Sequence, residues 1–430
     1  MVKPIMMIVV DGASDKPDNK KPTPLESAKT PNLDKFATNG RLGLLYTVGK
    51  GVAPESDAGV FSLLGYDPVA THLARGVVEA IGSGVDFQDG DLALRAGFGT
   101  VEGDHLIDRR AGRNLSTEDA KELGAAINKE LKLKEVVQFD FRPTVGHRAV
   151  VVFRAKNGRG FSSNISNFDP AYVRQGNVSV AVPSKTKYDL PKCEPLDKEP
   201  ETVRTAALVN EFGYKVRKIL DEHPVNVRRR REGKRPANWI LMRDAGTKRP
   251  SVESFREKWG LNPAMVADLP VELGIGKLLG MEVENLEPGT SIEGYSARAR
   301  LALKLAKNHD FVYVHLKGPD EPGHDGLYDL KKTRIEEIDT GFFSVLAKSP
   351  ETAAVTLCVT CDHSTPWRDK AHSDDPVPLL ISNGEKSGKL EARGRFSEVD
   401  ARNGGLGTVP YGRLVLDRLR NDSPGSIARP

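Results

Sequence analysis

Cysteine is scarce in this chain, three residues in 430, and three thiols make no disulfide framework. Cys358 and Cys361 form a Cys-x-x-Cys, but they lie inside the apolar run 354–361 and no second cysteine pair completes a zinc site. Buried strand thiols are the reading. No run of about 18 apolar residues exists, so no membrane span is expected. The apolar stretch Ile5–Val10 ends abruptly in Asp11, too soon for a signal peptide. Sequons such as Asn164-Ile-Ser166 therefore carry no weight, and a cytoplasmic location is expected. Excess charge of one sign is also missing. A net charge of +4 over this length argues against nucleic acid as the main partner. The one strong basic run, Arg228–Arg231 with Lys234 and Arg235, reads as a solvated helix end. Sharper readings would make it a nucleic-acid patch or a rim that steers an anionic substrate. Internal repeats and low-complexity segments are absent as well.

What is present is ordinary globular composition, 38% apolar and 28% charged, at a length where two domains are expected. Ile5–Val10 reads as a buried parallel strand ended by Asp11-Gly12. Thr30, a good N-cap, and Pro31 open a helix to about Thr38; Leu42–Val48 reads as a second strand, and Ala58–Leu64 as a helix starting at or just after Ser56. From about residue 70 to 240 the pattern becomes polar loops. A helix at Thr117–Leu131, a strand at Arg148–Phe153 and a helix at Thr202–Leu220 stand out from them. Strand–helix alternation then resumes, with strands at Trp239–Met242, Met265–Ala267, Asp310–Leu316, Ala353–Cys361 and Val377–Ile381. Helices are expected over Val271–Leu279, Glu293–Lys307, Leu330–Ala347 and Tyr411–Leu419.

The chemistry sits in short clusters just beyond apolar runs. They are Asp11, Ser56 in Pro54-Glu-Ser-Asp57, Asp320 and His324 in Lys317-Gly-Pro-Asp-Glu-Pro-Gly-His-Asp-Gly326, Asp362-His363, and His372. In an open α/β sheet, ligands bind outside the carboxyl ends of the strands, so residues delivered there by separate strands converge. Three carboxylates, three imidazoles and one hydroxyl suffice for two divalent cations. With Pro322 and Gly323 between Asp320 and His324, a loop wrapping a cation is expected rather than a helix. Oxygen and imidazole donors without thiolate fit Mn²⁺ best, Zn²⁺, Co²⁺ and Mg²⁺ also being compatible. Two such ions suit phosphoryl transfer, and a hydroxyl held by a cation loses its proton near neutral pH, which gives Ser56 the part of nucleophile. Because the N-terminal and C-terminal clusters must meet, residues 71–245 read as an α+β insertion into one doubly wound, mostly parallel α/β domain made of 1–70 and 246–430. Within the insertion, Arg109, Arg110 and Arg113 fall within six residues and Arg148 follows Gly146-His147. Such forks match phosphate and carboxylate bidentately, although a solvated loop would use the same residues. Lys317 and Arg243 complete the set of candidate anion contacts. His315, within a strand pattern, reads as a packed core residue.

Taken in order, these segments resemble the archaeal-type cofactor-independent phosphoglycerate mutases of the alkaline phosphatase superfamily. The matching stretches are Asp11-Gly12, Pro54-Glu-Ser-Asp-Ala-Gly59 with Leu64-Gly-Tyr-Asp-Pro68, Asp108-Arg-Arg-Ala-Gly-Arg113, Lys317–Gly326, Ile335-Glu-Glu-Ile-Asp339, Asp362-His-Ser-Thr-Pro366, Asp375-Pro-Val-Pro378 and Gly404-Gly-Leu-Gly407. The resemblance implies an alkaline-phosphatase-like core. It further implies one metal held by Asp320, His324 and His372, and another by Asp11, Asp362, His363 and the Ser56 hydroxyl. Ser56 would take the phosphoryl group of 3-phosphoglycerate and return it to the 2-hydroxyl while the inserted cap grips the glycerate. The chain departs from the family's wording at Arg243-Asp-Ala-Gly246, where Arg-Gly-Ala-Gly is common, and at 71–76, 265–276 and 288–291. A metal-dependent phosphatase, a phosphopentomutase or a small-molecule kinase would share Ser56 and both metals and differ in what the cap binds. A metal-stabilised binding protein would leave Ser56 without a role.

Overall fold

The computed structural model describes residues 3–18, 20–71, 73–134, 137–154, 160–175, 178–182, 185–286, 289–383 and 394–421. His72 and Pro288, within the divergent segments 71–76 and 288–291, lie outside the described residues. The chain forms two compact units, one of Met1–Thr71, Val252–Asp268 and Ile275–Pro430, the other of His72–Ser251 and Leu269–Gly274. Residues 246–251 and 269–274, which the sequence boundaries give to the core, thus cluster with the second unit.

The first unit is built on an eight-stranded sheet. Its order is Glu282–Asn285, Pro263–Ala267, Phe311–Leu316, Ile5–Val10, Thr356–Thr360, Val377–Ser382, Arg41–Leu45, Gly407–Val409. Met6, Met7, Ile8 and Val9 are all 0% exposed, so both faces of the Ile5–Val10 strand are covered, as a parallel strand requires. The pairings are parallel except the two made by Val377–Ser382. That strand follows the 361–376 segment, which contains no crossover helix, and a return without one favours antiparallel pairing. The expected α/β class with a mostly parallel sheet is what the structure has.

Two local expectations are corrected. Asp320–Asp325 is a helical turn, not a loop. Pro322 stands in its first turn, where the missing N–H has no intrahelical partner to lose, and Gly326 closes the turn at φ 74°. Thr30 makes no side-chain cap for the Pro31–Thr38 helix. Asp339 does this from a distance: its Oδ1 accepts Leu33 N–H at 2.8 Å and its Oδ2 accepts Asn32 Nδ2 at 2.8 Å. Asp339 begins a π-helical turn, Asp339–Phe343, inside what sequence reads as one long helix. The bulge lets a buried carboxylate leave its own helix to serve another.

The second unit contains an antiparallel sheet in the order Phe139–Pro143, Arg148–Phe153, Leu92–Glu102, His105–Asp108, Tyr188–Asp189, with Trp239–Gly246 also paired to Leu92–Glu102. Residues 70–240 are therefore far more regular than the expected loops. The central strand escapes sequence reading because Gly97 and Gly99 look like breakers and its small residues blur the alternation. The helices Thr117–Glu130 and Pro200–Glu222 contribute buried faces to the core of this unit. Phe212 meets Phe139 and Phe153 edge to face, at centroid separations of 5.4 and 5.3 Å. Such pairs add about 0.5–1.5 kcal/mol each beyond area burial.

Candidate active site

Three adjacent parallel strands, Phe311–Leu316, Ile5–Val10 and Thr356–Thr360, end side by side. Asp11 follows the second, the Asp320–Asp325 turn follows the first, and Asp362-His363 follows the third. The backbone here is tightly nested. At Gly12, φ 57°, a Cβ would lie 2.7 Å from Asp320 Oδ1. At Gly59 it would lie 2.5 Å from the carbonyl of Asp362, so the Ser56–Leu63 helix approaches only because that residue has no side chain. Ser56 is the first residue of this helix, where unsatisfied N–H groups and the helix dipole favour negative charge.

The seven residues singled out from sequence come together. Ser56 Oγ lies 3.1 Å from His363 Nε2. His363 Nε2 is 3.4 Å from Asp11 Oδ1 and 3.2 Å from Asp362 Oδ2. His324 and His372 place their Nε2 atoms 3.1 Å apart, and each is 3.5 Å from Asp320 Oδ1. Two sets, Asp11 with Asp362 and His363, and Asp320 with His363 and His372, hold their donor atoms within 4.8 Å of one another.

The imidazoles are oriented by their other nitrogen. His372 Nδ1 lies 2.8 Å from Pro54 O and His324 Nδ1 3.1 Å from Lys370 O; a carbonyl only accepts, so both Nδ1 atoms donate. Thr365 Oγ1 gives its proton to Asp320 Oδ1 at 2.8 Å, so His363 Nδ1, 3.0 Å away, donates to Thr365. In neutral imidazoles all three Nε2 lone pairs then face the site, the tautomer a metal requires. Two such lone pairs 3.1 Å apart repel unless a proton or a metal cation lies between them. Asp11 Oδ1 and Asp362 Oδ2 are buried and accept no hydrogen bond. The donor set therefore fits divalent cations on its own geometry.

The charges agree. Burial raises the Asp11 carboxyl well above its ordinary value; Lys317 opposes this, while Asp362 and Asp320 reinforce it. Burial also works against charge on Asp362 and Asp320. Even so, His363 holds the former below the usual carboxylate range, and His372 and His363 hold down the latter. Burial disfavours charge on His363, yet Asp362, Asp320 and Asp11 outweigh it and lift the pKa to about 9. Excess negative charge in a buried place is what a cation would neutralise.

Several residues that sequence reasoning passed over hold this site. Thr365 links Asp320 to His363. The buried ammonium of Lys331 donates to Ser14 O, Asp15 Oδ2 and Thr365 O at 3.0, 3.0 and 2.7 Å, tying two site loops together. His315 is buried, as expected, but its Nε2 lies 3.9 Å from Asp362 Oδ2. Lys317, read as an anion contact, is paired with Asp11 Oδ2 at 2.9 Å. Such partners are set by tertiary contacts, so no spacing in the chain could have announced them.

Below the loops, Glu398 accepts Asp15 N–H at 2.7 Å and the Thr23 hydroxyl at 2.8 Å. Burial, with a lesser contribution from Asp15, raises its pKa to about 7. A carboxyl whose folded pKa exceeds its unfolded value adds no penalty below the unfolded pKa of about 4.5 and its full cost above about 7. Stability should therefore fall across that window, by an amount on the order of a few kcal/mol. Melting temperatures of wild type and Glu398→Gln from pH 4.5 to 8 should converge or cross as pH rises. A constant difference across the range would show that Glu398 does not titrate there.

The second unit gathers the arginines. Arg109 makes a two-point pair with Asp169, at 2.9 and 2.6 Å, and lies over the Tyr172 ring. Arg243 stacks on the same ring at 3.7 Å. Burial, then Arg113, Arg109 and Arg148, lowers the Arg110 pKa, and burial with Arg148, Arg110, Arg95 and Arg113 lowers His147 to about 3. This is a crowd of cations of the kind that anionic ligands relieve. Asp244 occupies the left-handed region, φ 59°, a place where glycine is the usual occupant. The basic run at 228–235 is not merely solvated, because Arg229 is 1% exposed.

A parallel sheet that presents a hydroxyl at a helix start, beside two groups of carboxylates and imidazoles, has the makings of a phosphoryl-transfer site. A family model described as 2,3-bisphosphoglycerate-independent phosphoglycerate mutase matches residues 37–226. A protein of that name from Aeropyrum pernix is 42% identical over 425 residues, spanning 96% of this chain and 98% of its own. One from Methanopyrus kandleri is 38% identical over 97% of this chain and 96% of its own. The solved cofactor-independent phosphoglycerate mutase of Thermoplasma acidophilum superposes with a TM-score of 0.59 at 33% identity, covering 97% of this chain and 99% of that one. A solved Pyrococcus horikoshii protein reaches 0.74 at 30% identity, covering 98% and 97%. The chain belongs to the family of 2,3-bisphosphoglycerate-independent phosphoglycerate mutases.

Proposed function

We propose that this protein is an isomerase that interconverts 3-phosphoglycerate and 2-phosphoglycerate without 2,3-bisphosphoglycerate, a step of glycolysis and gluconeogenesis carried out in the cytoplasm. The observation that carries the reading is Ser56 Oγ, 3.1 Å from His363 Nε2 at the edge of two clustered ligand sets, in a chain that matches family members over nearly its whole length. Asp320, His324 and His372 would hold one divalent cation, and Asp11, Asp362, His363 and Ser56 another, with Mn²⁺ the best match to the donors. When bound, such ions neutralise charge on the attacking and leaving oxygens. Ser56 Oγ, having given up its proton, attacks phosphorus as the bond to the glycerate 3-oxygen breaks, and that oxygen takes up a proton to become the 3-hydroxyl. The glycerate 2-hydroxyl then gives up its proton as its oxygen attacks the same phosphorus, and the bond from phosphorus to Ser56 Oγ breaks to free the serine. The helix start at Ser56 supports the negative charge that gathers there. Holding the glycerate between the two transfers falls to Arg109, Arg110, Arg113, Arg148 and Arg243, with Lys317 orienting Asp11.

The test follows both products at once. Mn²⁺-loaded protein given 3-phosphoglycerate should accumulate 2-phosphoglycerate and almost no inorganic phosphate. Arg110→Ala is the informative variant, because Arg109 is committed to buried Asp169 and its loss would strand that carboxylate. Removing one charge-assisted pair should raise KM about tenfold or more and divert part of the turnover to free phosphate. Wild type that releases only phosphate would replace the mutase reading with a phosphatase.

A further inference from the structure

The helix Pro224–Arg231 ends in four arginines, and one of them turns inward. Arg229 directs its buried guanidinium at backbone: Nη2 donates to Ala111 O at 3.0 Å, Nη1 to Asn114 O at 3.1 Å and Nε to Arg235 O at 2.9 Å, while Nη2 also reaches Asn114 Oδ1 at 2.6 Å. No carboxylate is among these partners. Burial lowers its pKa from the ordinary value, the sign of a charge kept out of water at a cost. An apolar side chain of like size would fill the space more cheaply. The cationic fork therefore does something that packing alone would not.

What it grips is the arginine loop. Ala111, Gly112 and Arg113 have φ of 46°, 73° and 55°, so two non-glycine residues flank the glycine in the left-handed region. Backbone of this kind persists only where its surroundings over-determine it. Arg229 takes the carbonyl oxygens of Ala111, which begins that strained stretch, and of Asn114, the residue just after it. Arg235 secures the approach, donating to Ile107 O at 3.2 Å and Asp108 Oδ2 at 2.7 Å, while Asp108 Oδ1 accepts Arg110 N–H at 2.7 Å. Held this way, Arg109, Arg110 and Arg113 line one cavity of about 470 Å³.

We infer that Arg229 is a positioning residue. Without touching substrate, it sets the spacing of the Arg109, Arg110 and Arg113 guanidinium groups by fixing the 111–114 backbone. The inference rests on the reading of that loop as the grip on the substrate's anionic groups. The test uses the full-length protein as Arg229→Lys, which keeps the charge but not the fork, and Arg229→Met, which keeps the volume. Asn114→Ala removes one acceptor from the loop side and serves if the methionine variant does not fold. KM for 3-phosphoglycerate should rise about tenfold with kcat within about threefold, since the loss falls on binding. Amide exchange of residues 108–115 should accelerate while the Phe139–Phe153 strands keep their protection. Arg229→Lys combined with Asn114→Ala should cost less than the two effects multiplied, because both break the same contact. Arg229 variants with wild-type KM, beside an Arg110→Ala whose KM is raised, would overturn the role of Arg229 alone. An Arg110→Ala with wild-type KM would overturn the grip reading instead. Unchanged loop exchange in every Arg229 variant would overturn the clamp whatever the kinetics.

Discussion

Ser56→Ala is expected to lose turnover by on the order of 10³-fold or more, the usual consequence of removing a covalent nucleophile. The fold should survive. Ser56 opens its helix without capping it, since Glu55 is the N-cap and the buried face begins at Gly59. The ligand sets should survive too, because Asp11, Asp362, His363, Asp320 and His372 keep their mutual geometry without the hydroxyl. The measurement is turnover of 3-phosphoglycerate alongside metal content and melting temperature. A variant that binds metal and still runs faster than roughly a tenth of wild type would rule out a phosphoserine route.

Chelation should be as severe. Stripped of divalent metal, the protein should fall to background turnover and recover with Mn²⁺ at least as well as with Mg²⁺. Its stability should fall with it. Asp11 and Asp362 leave oxygens buried and unbonded, and the His324 and His372 Nε2 atoms stand 3.1 Å apart, so the apo site carries repulsion that a cation removes. A ligand present at a thousand times its Kd stabilises the folded state by about 4 kcal/mol, which sets the scale of the expected drop in Tm. Full turnover at zero measured metal, or an unchanged Tm on stripping, would sink the metal assignment. The second outcome would also leave the orphaned oxygens without an explanation.

What sequence by itself determined is the fold class and where along the chain the candidate ligand residues occur. Asp11, Asp362 and His363 each follow an apolar, β-branched run, and a carboxylate at the end of such a run is a local statement, readable from a few residues. The strand rule then brings them together without knowledge of the fold. The α/β class is legible for the same reason. Glycine hides part of the story: the Leu92–Glu102 strand is central to the second unit, yet Gly97 and Gly99 disguise it. Local rules also misjudge Asp320–Asp325, where proline in a first turn starts a helix rather than forbidding one. Everything that holds the site in place belongs to tertiary structure alone. Thr365 and Lys331 at the site, and Asp339 and Arg229 elsewhere, act on residues from 2 to more than 300 positions away, through bonds such as Lys331 to Ser14 at a separation of 317. A threonine or an arginine is equally at home on a surface, and only burial turns its donors into obligations that one particular partner must meet. Arg229 illustrates the division. Its place in a run of four arginines reads as solvent-facing charge, and only the packing of its helix against the 111–114 loop makes it a clamp.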